Sequence, residues 1–161
     1  MRRLVHSLRA LLVASAVAGV LAYAAAALLT VADIVGRQMG APIPGVVDLV
    51  QLCVLGGAWL VIPYAFLTGA HVGVDLLVES FPGAIERPLR ALASLAAVGL
   101  LALMLLHCYD AFQQQRLYGD RSQQLGIPII WYWVPLLFGL VLSIVAAALT
   151  VFFVPRSQAV R

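Results

Sequence analysis

Four long stretches of the chain, 10–32, 49–70, 91–109 and 123–155, contain no Asp, Glu, Lys or Arg, and little sequence lies outside them. A helix crossing the hydrocarbon of a bilayer needs about 20 mostly apolar residues. The first three stretches meet that length, and the fourth does so after its polar start is trimmed away. Strands of a transmembrane barrel would instead alternate over about 10 residues, and these runs are too long and too evenly apolar for that. Charged residues make up 11% of the chain, where soluble domains carry about 25%, which argues against a soluble globule. The expected fold is an all-α membrane protein, one domain of four transmembrane helices at about 8–37, 46–70, 86–113 and 128–154.

Arg2, Arg3 and Arg9 precede the first apolar run, and Ala22-Tyr23-Ala24 lies within it. A cleavable signal has an apolar core of only about 7–15 residues. Here the run continues through Leu28 and Leu29 to Ala32, so it reads as a retained membrane anchor. The arginine pair reads as an orienting charge cluster rather than a twin-arginine export signal. The net charge of +3 forms no basic stripe, so no nucleic-acid partner is expected. With the N-terminus inside, Arg2, Arg3, Arg9, Arg87, Arg90, Arg156 and Arg161 share the cytoplasmic side, against Arg37, Arg116 and Arg121 outside. Arginine favours cytoplasmic flanks, so both termini are expected in the cytoplasm.

Asp33 and Arg37 are four residues apart, the spacing at which side chains meet on one helical face. The following segment, Gly40-Ala41-Pro42-Ile43-Pro44-Gly45, breaks the helix, because proline lacks an N–H and glycine permits tight turns. Asp48 falls in the first turn of helix two, where a carboxylate suits the positive end of the helix dipole. Pro63 is expected to kink that helix. Between helices two and three, Val74, Leu77, Val78 and Phe81 recur at helical spacing beside Asp75 and Glu79. This predicts a short amphipathic helix over about 72–81, lying in the inner interface, with an acidic face better suited to protein than to anionic lipid. Gln113, Gln114 and Gln115 carry helix three outward, and Trp131-Tyr132-Trp133 opens helix four as an interfacial aromatic anchor, with Phe152 and Phe153 at the inner level. No internal repeat of the kind that builds many transporters is evident.

The middle of the membrane contains no expected Asp, Glu, Lys, Arg or His. Proton relays and ion-coupled sites need ionisable groups at that depth, so a catalytic or conducting role is not expected. His71 and His107 fall near opposite membrane faces, about 25–30 Å apart at 1.5 Å per helical residue. They cannot ligate one haem, and no cofactor or metal is expected. A self-contained proton-coupled exporter would want a carboxylate inside helix one, but Asp33 lies near the end and beside Arg37. Cys53 lies inside the second apolar run and reads as a small hydrophobe, and a disulfide to Cys108 would require both to approach the outer face. Small residues at Gly56, Gly57 and Ala58, and at Ala93, Ala96, Ala97 and Gly99, supply faces for close helix packing, within the chain or onto a larger membrane subunit.

Four short motifs occur in order along this frame. They are Asp33-Ile34-Val35-Gly36-Arg37, then Pro42-Ile43-Pro44-Gly45 with Asp48, then Gly69-Ala70-His71-Val72 with Asp75, then Leu125-Gly126-Ile127-Pro128 with Trp131. In this order and spacing the chain resembles the small membrane (DctQ-type) subunit of tripartite ATP-independent periplasmic (TRAP) transporters over nearly its whole length. It departs from that pattern at Asp48, where Glu is typical, at Gln38-Met39-Gly40, where bulkier residues are usual, and at Leu67-Thr68, where a basic residue often precedes the histidine. The resemblance implies a bacterial inner-membrane subunit of a sodium-driven carrier for organic acids such as dicarboxylates or sialic acids. Its partners would be a large membrane subunit holding the substrate and sodium sites, and a periplasmic solute-binding protein. Asp33, Arg37, Asp48, His71, Asp75 and Glu79 are the candidate partner or structural contacts, and Arg116 and Arg121 the candidate contacts to the binding protein. The alternatives are a membrane anchor of a respiratory enzyme, which paired histidines at one depth would favour, and a small exporter, which a mid-membrane carboxylate would favour.

Overall fold

The computed structural model describes residues 2–68 and 83–153, with side chains for 6–68 and 92–149. It contains four helices: α1 (Arg2–Gln38), α2 (Val46–Leu67), α3 (Gly83–Tyr118) and α4 (Ile130–Phe153). Within them His6–Gln38, Val46–Leu67, Leu92–Tyr118 and Ile130–Leu149 are each long and apolar enough to cross a membrane. The described residues contain no strand, only an isolated bridge between Arg121 and Pro128. The segment 72–81 expected as an interfacial helix, with His71, Asp75 and Glu79, lies outside the described residues.

Two of the helices outrun a bilayer. The 37 residues of α1 span about 55 Å at 1.5 Å per residue, against a hydrocarbon thickness of about 30 Å. The 36 residues of α3 reach nearly as far, because Gln113–Gln115, expected beyond the span, remain helical to Tyr118. Both helices stop by the same local chemistry. Gly40 N–H donates to the Arg37 carbonyl and Ala41 N–H to Gly36, while Gly119 N–H donates to Arg116 and Asp120 N–H to Gln115. Those paired bonds satisfy carbonyls left open at a helix end, with a left-handed residue at the first non-helical position. Gly40 (φ 78°) and Gly119 (φ 68°) take that conformation, which other residues adopt only under strain. Pro42 and Pro44 then prevent α1 from resuming.

The principal contacts run α1 to α2, α2 to α4, and α4 to α3. Glycine sets the two closest approaches. A Cβ built on Gly19 would lie 2.7 Å from the Gly57 carbonyl oxygen, and one on Gly57 would lie 2.9 Å from the Gly19 oxygen. Real Cβ atoms do not come that close, so α1 and α2 touch backbone to backbone here, the route by which membrane helices gain dispersion energy without a hydrophobic drive. Gly139 of α4 rests on the Trp59 backbone of α2, where a Cβ would run into the carbonyl oxygen. Pro135 packs over Gly56, at 3.5 Å from its would-be Cβ. Leu12, Leu142 and Ala146 form one buried cluster, with Leu8, Phe66 and Leu67 against it, and Leu101, Leu140 and Ala147 form a second.

The two small-residue faces behave differently. Gly56 and Gly57 are buried in these contacts. On α3, Ala96 and Gly99 are exposed, with nothing within 4 Å of a Cβ added at Gly99. That face has no neighbour among the described residues, because α3 packs chiefly on α4. Pro63 and Pro135 both lie inside helices that continue through them, so neither opens a break in the membrane span.

Candidate functional site

The structure is most elaborated at the end where α1 and α3 finish and α2 and α4 begin. Two loops meet there, and each is held by a buried carboxylate. Asp33, in the last turns of α1, accepts a 2.7 Å hydrogen bond from Arg37 Nε on one oxygen and a 3.0 Å bond from the Ile43 N–H on the other. The first is an ion pair between neighbouring turns, with the Arg37 side chain 61% exposed and Asp33 almost enclosed. The second ties the 39–45 loop back to the helix it has just left. A loop N–H at this position has no helical partner, and an ionised acceptor makes the stronger kind of hydrogen bond.

Asp48 does the corresponding work over a longer separation. Its Oδ2 accepts from the backbone N–H of Gln124 at 3.0 Å and of Leu125 at 2.7 Å, and the Ser122 hydroxyl sits against the same carboxylate. Ser122 in turn accepts from Ile127 N–H at 2.9 Å. Tyr132 Oη, on the first turn of α4, donates to the Asp48 carbonyl at 3.0 Å. The start of α2, the 119–129 loop and the start of α4 are therefore joined through one residue. Leu125 closes the contact by packing where a Cβ on Gly45 would fall. Asp48 is predicted by its position to serve the α2 dipole. It does stand in the first turn, but its carboxylate is directed to the loop amides.

The aromatic cluster divides in a way its sequence does not announce. Trp131 is 61% exposed and has the character of an interfacial anchor, but Tyr132 is 6% exposed and belongs to the Asp48 clasp. Trp133 Nε1 donates to Gln115 Oε1 at 2.6 Å, and its ring lies 6.2 Å from that of Phe112, fastening α3 to α4. The expectation of three anchoring rings is thus corrected: two of them cross-link helices, because at 100° per residue consecutive side chains cannot share one face. Ser122, Tyr132 and Gln115 were not singled out as functional residues in advance. Gln124 and Leu125 enter only through their backbone, which no side-chain pattern reports.

Of the candidate residues, the structure brings Asp33 and Arg37 together and places Asp48 at the same end. Arg116 is exposed on the last turn of α3 and Arg121 on the loop that follows it, where Arg121 Nη1 donates to the Gly126 carbonyl at 3.3 Å. His107 is exposed on α3. Cys53 and Cys108 are free thiols, both half-buried. Away from this end, the buried polar side chains among the described residues are Ser15 and Ser143. Each donates to its own helix, Ser15 to Leu12 at 2.9 Å and Ser143 to Gly139 at 2.7 Å.

Residues 26–154, which take in both clasped loops, match the family of tripartite ATP-independent periplasmic transporters, DctQ component. The chain belongs to this family. No curated protein and no solved structure matches it significantly. As a DctQ component it is the small permease subunit of a TRAP transporter, a multi-pass membrane protein that works with other transporter components. The family is a transporter component and not an enzyme family, which sets aside the respiratory-anchor and lone-exporter readings.

The clasp in this DctQ chain makes a measurable expectation. Asp48→Ala leaves the Gln124 and Leu125 amides without their acceptor, so their hydrogen exchange should quicken by about tenfold or more, the scale of losing a charge-assisted bond. Asp48→Asn retains an acceptor oxygen and should show a smaller change. Equal, unchanged exchange in both variants would remove the clasp from the account.

Proposed function

We infer that this subunit is a static membrane scaffold for the large transport subunit, in sodium-driven, binding-protein-dependent uptake of organic acids across a bacterial inner membrane. One observation carries the reading. Among the described residues the buried carboxylates, Asp33 and Asp48, sit at the loop end and are already occupied by Arg37 and backbone amides. The buried hydroxyls of the interior donate to their own helices. Ion-coupled transport needs polar groups or broken helices at membrane depth, and the prolines here leave α2 and α4 continuous. The open α3 face at Ala96 and Gly99 offers close backbone approach to a second membrane protein. Gly99→Leu should therefore cut co-purification with the large subunit while leaving the isolated chain folded. Undiminished recovery of the complex would count against that face.

Both termini are assigned to the cytoplasm on the arginine asymmetry, which puts the clasped loops, with Arg37, Arg116 and Arg121, on the periplasmic side where a solute-binding protein docks. In a background without Cys53 and Cys108, Gln123→Cys should react with an impermeant thiol reagent added to intact cells. Ser157→Cys should react only after lysis. The opposite pattern would invert the orientation and take the clasped loops away from the side where a binding protein docks. His71, Asp75 and Glu79 then belong to the cytoplasmic side, as proposed contacts to the large subunit.

A further inference from the structure

A cavity of about 100 Å³ opens at the α3–α4 corner of the loop end, bordered by Arg116, Asp120 and Arg121 and floored by Gly119, Pro128 and Ile129. It is open to solvent on one side, so a small polar group can enter it without being enclosed. Two cations border it. The one ion pair among the described residues is Asp33–Arg37, so Arg116, Arg121 and Asp120 have no ionic partner there. No Cβ would meet an atom within 4 Å at Gly119, so the floor is open to an approaching group. Adjacent in sequence to its lining residues Arg116, Gly119 and Ile130, Leu117 is 85% accessible, Tyr118 81% and Trp131 61%. In a multi-pass membrane protein, amphipathic rings at a helix end mark the headgroup level.

The geometry points to a site for an amine-bearing phospholipid headgroup: its phosphodiester lies against Arg116 and Arg121, its ammonium against Asp120, and its acyl chains run down past Leu117 and Trp131. Guanidinium groups suit phosphate oxygens through paired N–H donors. Asp120 adds what a simple anion site would avoid, a carboxylate at the rim, and an ammonium group answers it. Free inorganic phosphate shares the first contact but has nothing for Asp120 or the apolar border. This site is independent of which acid the transporter carries.

The test is lipid retention by the full-length chain, purified with its large subunit and read by native mass spectrometry after exchange into phosphatidylethanolamine or phosphatidylcholine. The wild type should retain phosphatidylethanolamine in preference to phosphatidylcholine, whose quaternary amine cannot donate to a carboxylate. R116Q/R121Q should lower retention roughly 30-fold, on the scale of two interfacial cations. Asp120→Asn should erase the preference between the two lipids, and millimolar inorganic phosphate should not displace the lipid. Equal retention of both lipids by the wild type, unchanged retention in R116Q/R121Q, or displacement by phosphate would each overturn the assignment. An acidic side chain of the binding protein is the competing occupant. If R116Q/R121Q weakens delivery by the binding protein with lipid retention unchanged, the arginines are protein contacts and the lipid site is wrong.

Discussion

Gly139→Leu should prevent α4 from seating on α2 and lower the thermal stability of the detergent-solubilised chain sharply. The backbone of Trp59 lies where even a single Cβ would have to go, and backbone cannot rotate away as a side-chain tip can. Overpacking a tight contact costs about 1–3 kcal/mol for added methylenes, and a leucine adds four carbons against a carbonyl. Displacing α4 here also reaches the cluster of Leu101, Leu140 and Ala147, and the Ser143 hydroxyl, whose acceptor is the Gly139 carbonyl. Gly99→Leu is the matched control, since nothing stands within 4 Å of its Cβ. Melting followed by tryptophan fluorescence should show a large loss for Gly139→Leu and almost none for Gly99→Leu. Similar melting of the two would mean that the α2–α4 crossing does not depend on glycine.

The four-helix frame was legible because charge-free length is a one-dimensional signal: a run of twenty apolar residues means nearly the same thing wherever it packs. The same was true of the i, i+4 meeting of Asp33 and Arg37, a property of the helix alone. Legibility ended where partners come from distant sequence. Asp48 reaches Gln124 and Leu125 across more than seventy positions, and its partners there are amide groups that every residue type shares. Gly19 and Gly139 passed unnoticed because each is a single glycine in an apolar run, whereas paired Gly56-Gly57 drew notice. Only the crossing of α1 over α2 shows that Gly19 answers Gly57. Conversely, the Ala96–Gly99 face was as visible in sequence as the Gly56–Gly57 face, yet it stays exposed among the described residues. Small residues announce that close packing is available, and the topology decides whether the neighbour is internal.

The helix lengths follow the same division. Where α1 and α3 stop depends on Gly40 and Gly119 in left-handed turns, and for α1 the Gly-Pro-rich loop made the stop evident. For α3 the polar run Gln113-Gln114-Gln115 resembled a helix end, but glutamine is a good helix former and Gln115 is held by Trp133. Helix therefore persists to Tyr118, which carries Arg116 beyond the expected boundary.

The scaffold role itself is tested most directly by reconstitution. Among the described residues an organic acid crossing the bilayer through this chain alone would meet no buried cation, since Arg9, Arg37, Arg116 and Arg121 are all exposed. Moving an unpaired carboxylate into a low-dielectric interior costs several kcal/mol at least, enough to slow passage by orders of magnitude. Proteoliposomes containing only this subunit, under an inward sodium gradient and with radiolabelled dicarboxylate outside, should accumulate no more label than protein-free liposomes. Adding the large subunit and the binding protein should produce saturable, sodium-dependent uptake. Saturable uptake by the small subunit alone would contradict the account.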